Sequence, residues 1–301
     1  MTSFIDSLAA SEKAVIVIDI GQAYTKFGFA GSSSPHHIIP TRIIIDGKTK
    51  SVFEYNSNSM MSHDDRLTEL IRLIFYKYSL INCRDRRIVI VESVITPTRI
   101  RHLLADILLK QFEAISLVFI PSHLSATCTS GRNTALVLDV GYKETQIMPV
   151  AEGIPLAIQF DSLSCAGQAI HKEFACEILF EENIDGKSIV TLILDTLLQA
   201  PIDLRQQLAD NILIIGGTAI MPGFLHRFNA ELNYLINQSP YINRLAIKQF
   251  KFHSPPGQLN YIAWLGGSIF GALDTLEDQS ITRSKYLENG IVPDWFTGES
   301  I

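Results

Sequence analysis

An α/β fold is predicted by three features of the sequence. Short β-branched runs alternate with longer amphipathic stretches. The string Asp-x-Gly-x-x-x-Thr occurs twice, at Asp19 and, 120 residues later, at Asp139. A glycine pair, Gly216-Gly217, follows a further apolar run. Strand-length runs separated by helix-period segments are the pattern of sheets covered by helices.

Strands are predicted at 14–20, 87–91, 116–120, 135–140 and 211–215, where Val, Ile and Leu crowd together. After Thr96-Pro97 a helix is expected. Thr96 can cap it, Pro97 suits the first helical position, and Ile100, Leu103, Leu104, Ile107 and Leu108 recur at helical spacing. A second helix is predicted over 222–236, with Phe224, Leu225, Phe228, Leu232, Leu235 and Ile236 as its apolar stripe and Pro240 beyond its end. The polar intervals 55–65 and 181–188 read as surface loops, and the tail after Gly290 carries Trp295 and Phe296 as docking aromatics.

The composition, 47% hydrophobic and 19% charged over 301 residues, is that of a chain with substantial cores. A net charge of −6 lacks the basic footprint that phosphate backbones attract, so no nucleic-acid partner is expected. The first apolar run contains Asp19, and no window approaches the ~18 apolar residues of a bilayer span, so neither a leader nor membrane insertion is expected. Cys83, Cys128, Cys165 and Cys176 form no Cys-x-x-Cys pair and read as reduced thiols.

The two repeats align as Val17-Ile18-Asp19-Ile20-Gly21-Gln22-Ala23-Tyr24-Thr25 and Val137-Leu138-Asp139-Val140-Gly141-Tyr142-Lys143-Glu144-Thr145. Each predicts a strand, a tight turn and a returning strand, and the duplication suggests two related halves. A turn with unpaired N–H groups can wrap phosphate oxygens, and a glycine at its apex permits close approach. Asp19 and Asp139 would then hold the waters of a phosphate-bound Mg²⁺, and Lys26 could reach the same phosphates. One such string is as readily an ordinary strand-end turn; a matched pair has no shared structural need. Gly216-Gly217-Thr218, with Ile220 and Met221 as an apolar wall, would leave room for a base or ribose, although a plain strand-to-helix connection has the same composition.

Taken together these strings resemble the actin superfamily. Residues 17–21 with 26–31 look like its first phosphate loop, 137–141 like its second, and Gly216-Gly217-Thr218 before Met221-Pro222-Gly223 like its adenosine motif. Ser130-Gly131-Arg132 and Trp264-Leu265-Gly266-Gly267-Ser268 add to the match. The resemblance implies an actin-like fold of two ribonuclease-H-like halves, 14–122 plus 252–301 and 123–251. It implies ATP or ADP with Mg²⁺, held by Asp19, Gly21, Gln22, Lys26, Asp139, Gly141, Gly216, Gly217, Thr218, Ile220 and Met221. Further strings, 199–205, 222–227, 263–267 and 291–295, resemble the actin-related proteins of the dynactin pointed end. That implies other dynactin subunits as partners and a place in the cytoplasmic cytoskeleton.

The departures shape the expected function. Where hydrolysing actins carry Asp, Gly and His around the second loop, this chain has Tyr142, Lys143 and Gln146, and their water-positioning Gln aligns near Ser122. Gln22 and Ala23 replace Ser and Gly in the first loop. Hydrolysis needs a positioned water, so the expected subunit is not an enzyme. The family inserts a lobe into each half; the intervals 41–63 and 181–188 are too short for either. Since those lobes form the face to which the next filament subunit adds, the resemblance implies a terminator. Two alternatives stay open: a nuclear actin-related subunit of a chromatin-remodelling complex, and an ATP-dependent kinase, for which Asp161 and Asp203 are the available bases, each equally a solvated or capping residue.

Overall fold

The structure, a computed structural model, describes residues 14–45, 47–54, 62–173 and 175–293. The chain divides into two compact units, one running to Ser122 and resuming at Gly267, the other His123–Gly266. Strands and helices are numbered along the chain.

In the first unit β1 (Ile16–Ile20) turns back antiparallel into β2 (Tyr24–Phe29), which pairs with β3 (His37–Pro40). Parallel to β1 runs β6 (Arg87–Glu92), then β7 (Ser116–Pro121), with the two-residue β13 (Ile281–Thr282) on the edge. Ile88, Val89, Ile90 and Val91 are all buried, as expected of a parallel strand covered on both faces. β4 (Arg42–Ile45) and β5 (Lys48–Ser51) make a separate two-stranded sheet. Among the described residues, this unit carries α1 (His63–Leu73), α2 (Thr98–Ala105) and α9 (Arg283–Asn289).

Ser62 caps α1 in a reciprocal box with Asp65, so residues 62–65 are a helix start and not loop, while 55–61 lie outside the described residues. The expected cap of α2 is also corrected. Pro97, with an extended ψ of 137°, occupies the cap position without a side-chain bond, and the helix begins at Thr98. Thr96 instead donates its N–H to Ser93 in the preceding turn. Both α1 and α2 run on into π-helical turns, 74–79 and 106–111. Residues 294–301, with the two aromatics of the tail, lie outside the described residues.

The second unit repeats the hairpin. β8 (Ala135–Val140) turns into antiparallel β9 (Thr145–Ala151), which carries the short β10 (Ile154–Pro155) and β11 (Asp161–Leu163), while β12 (Ile212–Ile215) lies parallel to β8. Its helices are α3 (Ser122–Ser130), α4 (Gly167–Glu173), α5 (Ile189–Gln199), α6 (Ile202–Ala209), α7 (Phe224–Leu235) and α8 (Ile262–Gly271), of which α3 begins in the first unit and α8 ends there. α5 is apolar almost all round and buried from Ile189 to Leu194, the mark of a core helix. On α7 the buried stripe is Phe224, Phe228 and Leu232; Leu225 is 47% exposed because it lies ~100° round the helix from Phe224.

Residues 252–266 pack with the second unit, not the first as the sequence suggested. Phe252 bridges to Ile212, Gly216 donates to the Leu259 carbonyl at 2.9 Å, and Ser125 Oγ donates to the Ala263 carbonyl at 2.6 Å. Between Leu179 and α5 there is only a tight turn, in which Asn183 Oδ1 accepts from the N–H groups of Asp185 and Lys187, each at 2.9 Å.

Candidate functional site

In the first unit the candidate residues lie on the β1–β2 turn. Gly21 donates its N–H to the Tyr24 carbonyl at 3.1 Å, and a Cβ on Gly21 would stand 2.8 Å from that same oxygen, so only glycine fits. The turn's own glycine N–H is therefore consumed internally. Among the described residues, the N–H groups of Gln22 and Ala23 have no protein acceptor, and Gln22 is exposed. Cross-strand register sets Asp19 opposite Lys26, and Lys26 Nζ lies 2.8 Å from Asp19 Oδ2, with about 15% of each side chain exposed. The lysine thus neutralises the carboxylate beside it before it could serve a phosphate.

The second unit has the same geometry. Gly141 donates to the Glu144 carbonyl at 3.1 Å, and among the described residues the N–H groups of Tyr142 and Lys143 have no protein acceptor. The register partner of Asp139 is Gln146, which takes the place that Lys26 holds in the first hairpin. Gly167 and Gln168, opening α4, donate to the carbonyls of Gly141 and Tyr142 at 3.3 and 2.6 Å and fix the turn from the side.

The glycine pair divides its labour. Gly216 has φ +103°, and a Cβ there would meet the Val140 carbonyl and stand 2.6 Å from Asp139 Oδ1. It is a packing requirement that brings β12 against the Asp139 carboxylate. Gly217 has an ordinary φ of −68° and nothing within 4 Å of a would-be Cβ, so no protein atom demands a glycine there. Thr218 was expected to face a ligand; its hydroxyl is instead donated to the Gly141 carbonyl at 2.5 Å. Ile220 is 47% exposed and open to a ligand, whereas Met221 packs on the core of this unit. A 3₁₀ turn over Thr218–Ile220 and a further turn separate the glycines from α7, which is why no helix starts directly behind them.

The roles of four residues of this architecture escaped the sequence reading. Thr41 Oγ1 donates to the Gly21 carbonyl at 2.7 Å, the counterpart of Thr218. Thr25 and Thr145, the last residues of the repeated string, are fully buried, and their hydroxyls meet Thr41 at 2.9 Å and the Cys165 carbonyl at 2.7 Å. His123, next to Ser122, is fully buried; burial pushes its imidazole down to about 4 against the lift of a bond to the Gln146 backbone, and its ring meets Phe160 edge-on. For Thr25 and Thr145 the threonine spacing of the repeat stood in the sequence; Thr41 and His123 had no such signal.

The family described as actin matches residues 10–187 and 177–293 of this chain. The chain belongs to the actin family. Similar relatives include actin-related protein 10 of Dictyostelium discoideum, 24% identical over 424 aligned positions that cover 94% of this chain and 89% of the relative. Another is putative actin-29 of the same organism, 22% identical over 373 positions, covering 91% and 94%. Both alignments are longer than the 301 residues of this actin-family chain, so the relatives contain segments that it lacks. The two family matches meet at 177–187, the stretch holding the tight turn before α5.

The side chains fit a magnesium nucleotide in part. In the first unit Asp19 stands near the end of β1, before a turn whose Gln22 and Ala23 N–H groups have no protein acceptor among the described residues; in the second, Asp139 stands likewise on β8, before Tyr142 and Lys143, and a Cβ on Gly217 would meet nothing within 4 Å. Bound there, such a group would supply a phosphate anchor with its ion. Ser122 and Gln146 are both buried.

Proposed function

We propose that this actin-family chain is a non-catalytic structural subunit of dynactin, ending a filament of actin-related subunits at its pointed end in dynein-driven transport along microtubules. The observation that carries the reading is the pair of matching turns, kept with the same 3.1 Å internal bond while Tyr142, Lys143, Gln146 and Ser122 stand in the hydrolytic positions. Positioning and charge stabilisation do nearly all the work in phosphoryl transfer, so turns that still grip phosphate without a water-orienting side chain bind and do not turn over. ATP or ADP with Mg²⁺ is held through Asp19, Gly21, Gln22, Lys26, Asp139, Gly141, Gly217 and Ile220, with both aspartates acting through water on the ion.

The terminating role is supported by the short intervals 41–62 and 180–188, which hold one small hairpin and one tight turn among the described residues. A subunit without the segments its relatives carry offers less surface for a further subunit to join. The C-terminal strings that resemble pointed-end actin-related proteins point to the other dynactin subunits as partners, in the cytoplasm.

The test pairs two measurements. Fluorescent ADP and ATP analogues titrated onto the purified chain with Mg²⁺ should bind, with phosphate release at background. Affinity purification from its own cells should recover the other dynactin subunits in fixed ratio. Turnover at ordinary enzyme rates, ~1 s⁻¹ or more, or recovery with chromatin-remodelling subunits instead, would sink the proposal.

A further inference from the structure

The connection from β6 to α2 holds the string Thr96-Pro97-Thr98-Arg99, a hydroxyl directly before a proline and three residues before an arginine. Serine or threonine precedes proline at 34, 96, 239 and 254, and the residues three further on are His37, Arg99, Ile242 and Gly257. Thr96 alone has a permanently charged cation at that distance. Kinases select their substrates by such charge patterns. Proline beside the acceptor restricts the residue before it to extended backbone, the shape a substrate takes in a kinase groove, and has no N–H to leave unpaired there.

The structure displays this string and fixes its base. Glu92, ending β6, and Arg101, on α2, form a buried ion pair at 2.8 Å, with the guanidinium 5.4 Å from the centre of the Phe119 ring. Between them Ile95, Pro97, Thr98 and Arg99 are exposed and Thr96 is half-buried. The Thr96 N–H is donated to the Ser93 carbonyl at 3.0 Å, while its hydroxyl has no protein partner among the described residues. Pro97 continues extended, with ψ 137°. The helix start behind it opens easily. Where α1 has its capping box and two acids in the first turn, α2 has neither a side-chain cap nor an acid there. The N–H groups of Thr98 and Arg99 have no protein acceptor among the described residues. Loosening residues 98 and 99 gives up one exposed ion pair, Arg99 Nη2 to the two Asp64 oxygens at 3.0 and 3.2 Å, which is a small cost.

We propose that Thr96 is the acceptor of a proline-directed protein kinase, and that its phosphate takes Arg99 from Asp64. Thr96 Oγ1 attacks the γ-phosphorus of ATP, the new O–P bond forms as the bond to ADP breaks, and the hydroxyl proton passes to the kinase's base. The product carries about 1.5 to 2 negative charges one residue before the cap position of a helix that has no anion of its own. Arg99, three residues on, matches phosphate with two parallel N–H bonds, a stronger pairing than its exposed contact with Asp64. Phosphorylation thereby replaces a tie between α1 and α2 with one that closes the start of α2 on its own loop. The inference does not rest on nucleotide binding or on the terminating role.

The test incubates the folded full chain with ATP, Mg²⁺ and a purified cyclin-dependent kinase, and maps phosphate by tandem mass spectrometry. A kinase that requires acidic residues after the acceptor is the comparison. The cyclin-dependent kinase should place phosphate on Thr96 before any other residue. Thr96→Val should abolish that label, Thr98→Val should leave it, and Arg99→Gln should slow it by about tenfold, the worth of one good contact. Hydrogen exchange at the amides of residues 98 and 99 should slow several-fold on phosphorylation, and less so in the phosphorylated Arg99→Gln chain. Label on Thr98 or on the other three proline sites in preference to Thr96, equal labelling by the comparison kinase, or label only on heat-denatured chain would overturn the proposal. Unchanged exchange in the phosphorylated chain would overturn the transfer of Arg99. Should a variant fail to fold, the site map and exchange of the unaltered chain decide.

Discussion

Thr41 donates its hydroxyl to the Gly21 carbonyl at 2.7 Å, and in the other unit Thr218 does the same to the Gly141 carbonyl at 2.5 Å. Each glycine therefore has its N–H closing the turn and its carbonyl tied by a threonine from another element. The two turns are held alike although their tethers come from unrelated places in the chain. Replacing either threonine by valine keeps the volume and leaves a carbonyl short of a donor, which costs about 1–3 kcal/mol. Urea midpoints should fall for Thr41→Val and Thr218→Val, and Thr41→Ser should recover most of the loss. Equal losses for valine and serine would show that the methyl, not the hydroxyl, matters.

The glycine pair separates packing from ligand binding. Gly216→Ala places a methyl against the Val140 carbonyl and Asp139 at a left-handed φ, and should destabilise the chain by about 2 kcal/mol or more. Gly217→Ala meets nothing and should leave the melting temperature unchanged. Gly217→Val should likewise melt normally yet weaken binding of a fluorescent nucleotide. A stability loss at 217 comparable to that at 216 would contradict the geometry.

Acidification should unfold the chain through His123. Its folded value of about 4 lies below the ordinary 6.5, so between those values the unfolded chain binds the extra proton and stability falls with pH. The contribution is intact above about 6.5 and fully lost near 4, a gap worth about 3 kcal/mol. Burial lowers His36 and His37 as well, which adds loss of the same sign. His123→Gln retains a donor without a titrating proton, so its denaturation free energy plotted against pH should have a shallower slope. An identical slope in the variant would remove His123 from the account.

The Lys26–Asp19 pair should behave as a coupled unit. With both groups mostly shielded from water, Lys26→Met leaves a carboxylate without its cation, and Asp19→Asn leaves the reverse. Each single change should cost more than the double variant Lys26→Met, Asp19→Asn relative to its own singles' sum, giving a coupling of about 1–3 kcal/mol in a denaturation cycle. Strict additivity would mean that the 2.8 Å contact contributes nothing to stability.

Much of the fold was legible because short strands and their turns are local. The run 135–140 became β8 with the predicted bounds, and the apolar runs near 16, 87, 116 and 212 became strands within two residues. Errors fell where backbone torsion, not hydrophobicity, decides, as at Pro97 and Gly223, or where face orientation matters, as at Leu225. Around the candidate site two partnerships left no sign in the sequence, the Thr218 hydroxyl on the Gly141 carbonyl and Lys26 on Asp19, because both depend on side chains meeting across strands and turns.

By itself the sequence determined that two strand–turn–strand units of one design exist, because Asp-x-Gly-x-x-x-Thr encodes a local turn in which the glycine closes on the carbonyl three residues on, with a would-be Cβ only 2.8 and 3.1 Å from that oxygen at Gly21 and Gly141. Only the tertiary structure decided what holds those turns and which polar atoms remain outward. Thr41 reaches Gly21 across 20 residues and Thr218 reaches Gly141 across 77, and hydrogen bonds between parts so far apart in sequence leave no periodic trace in it.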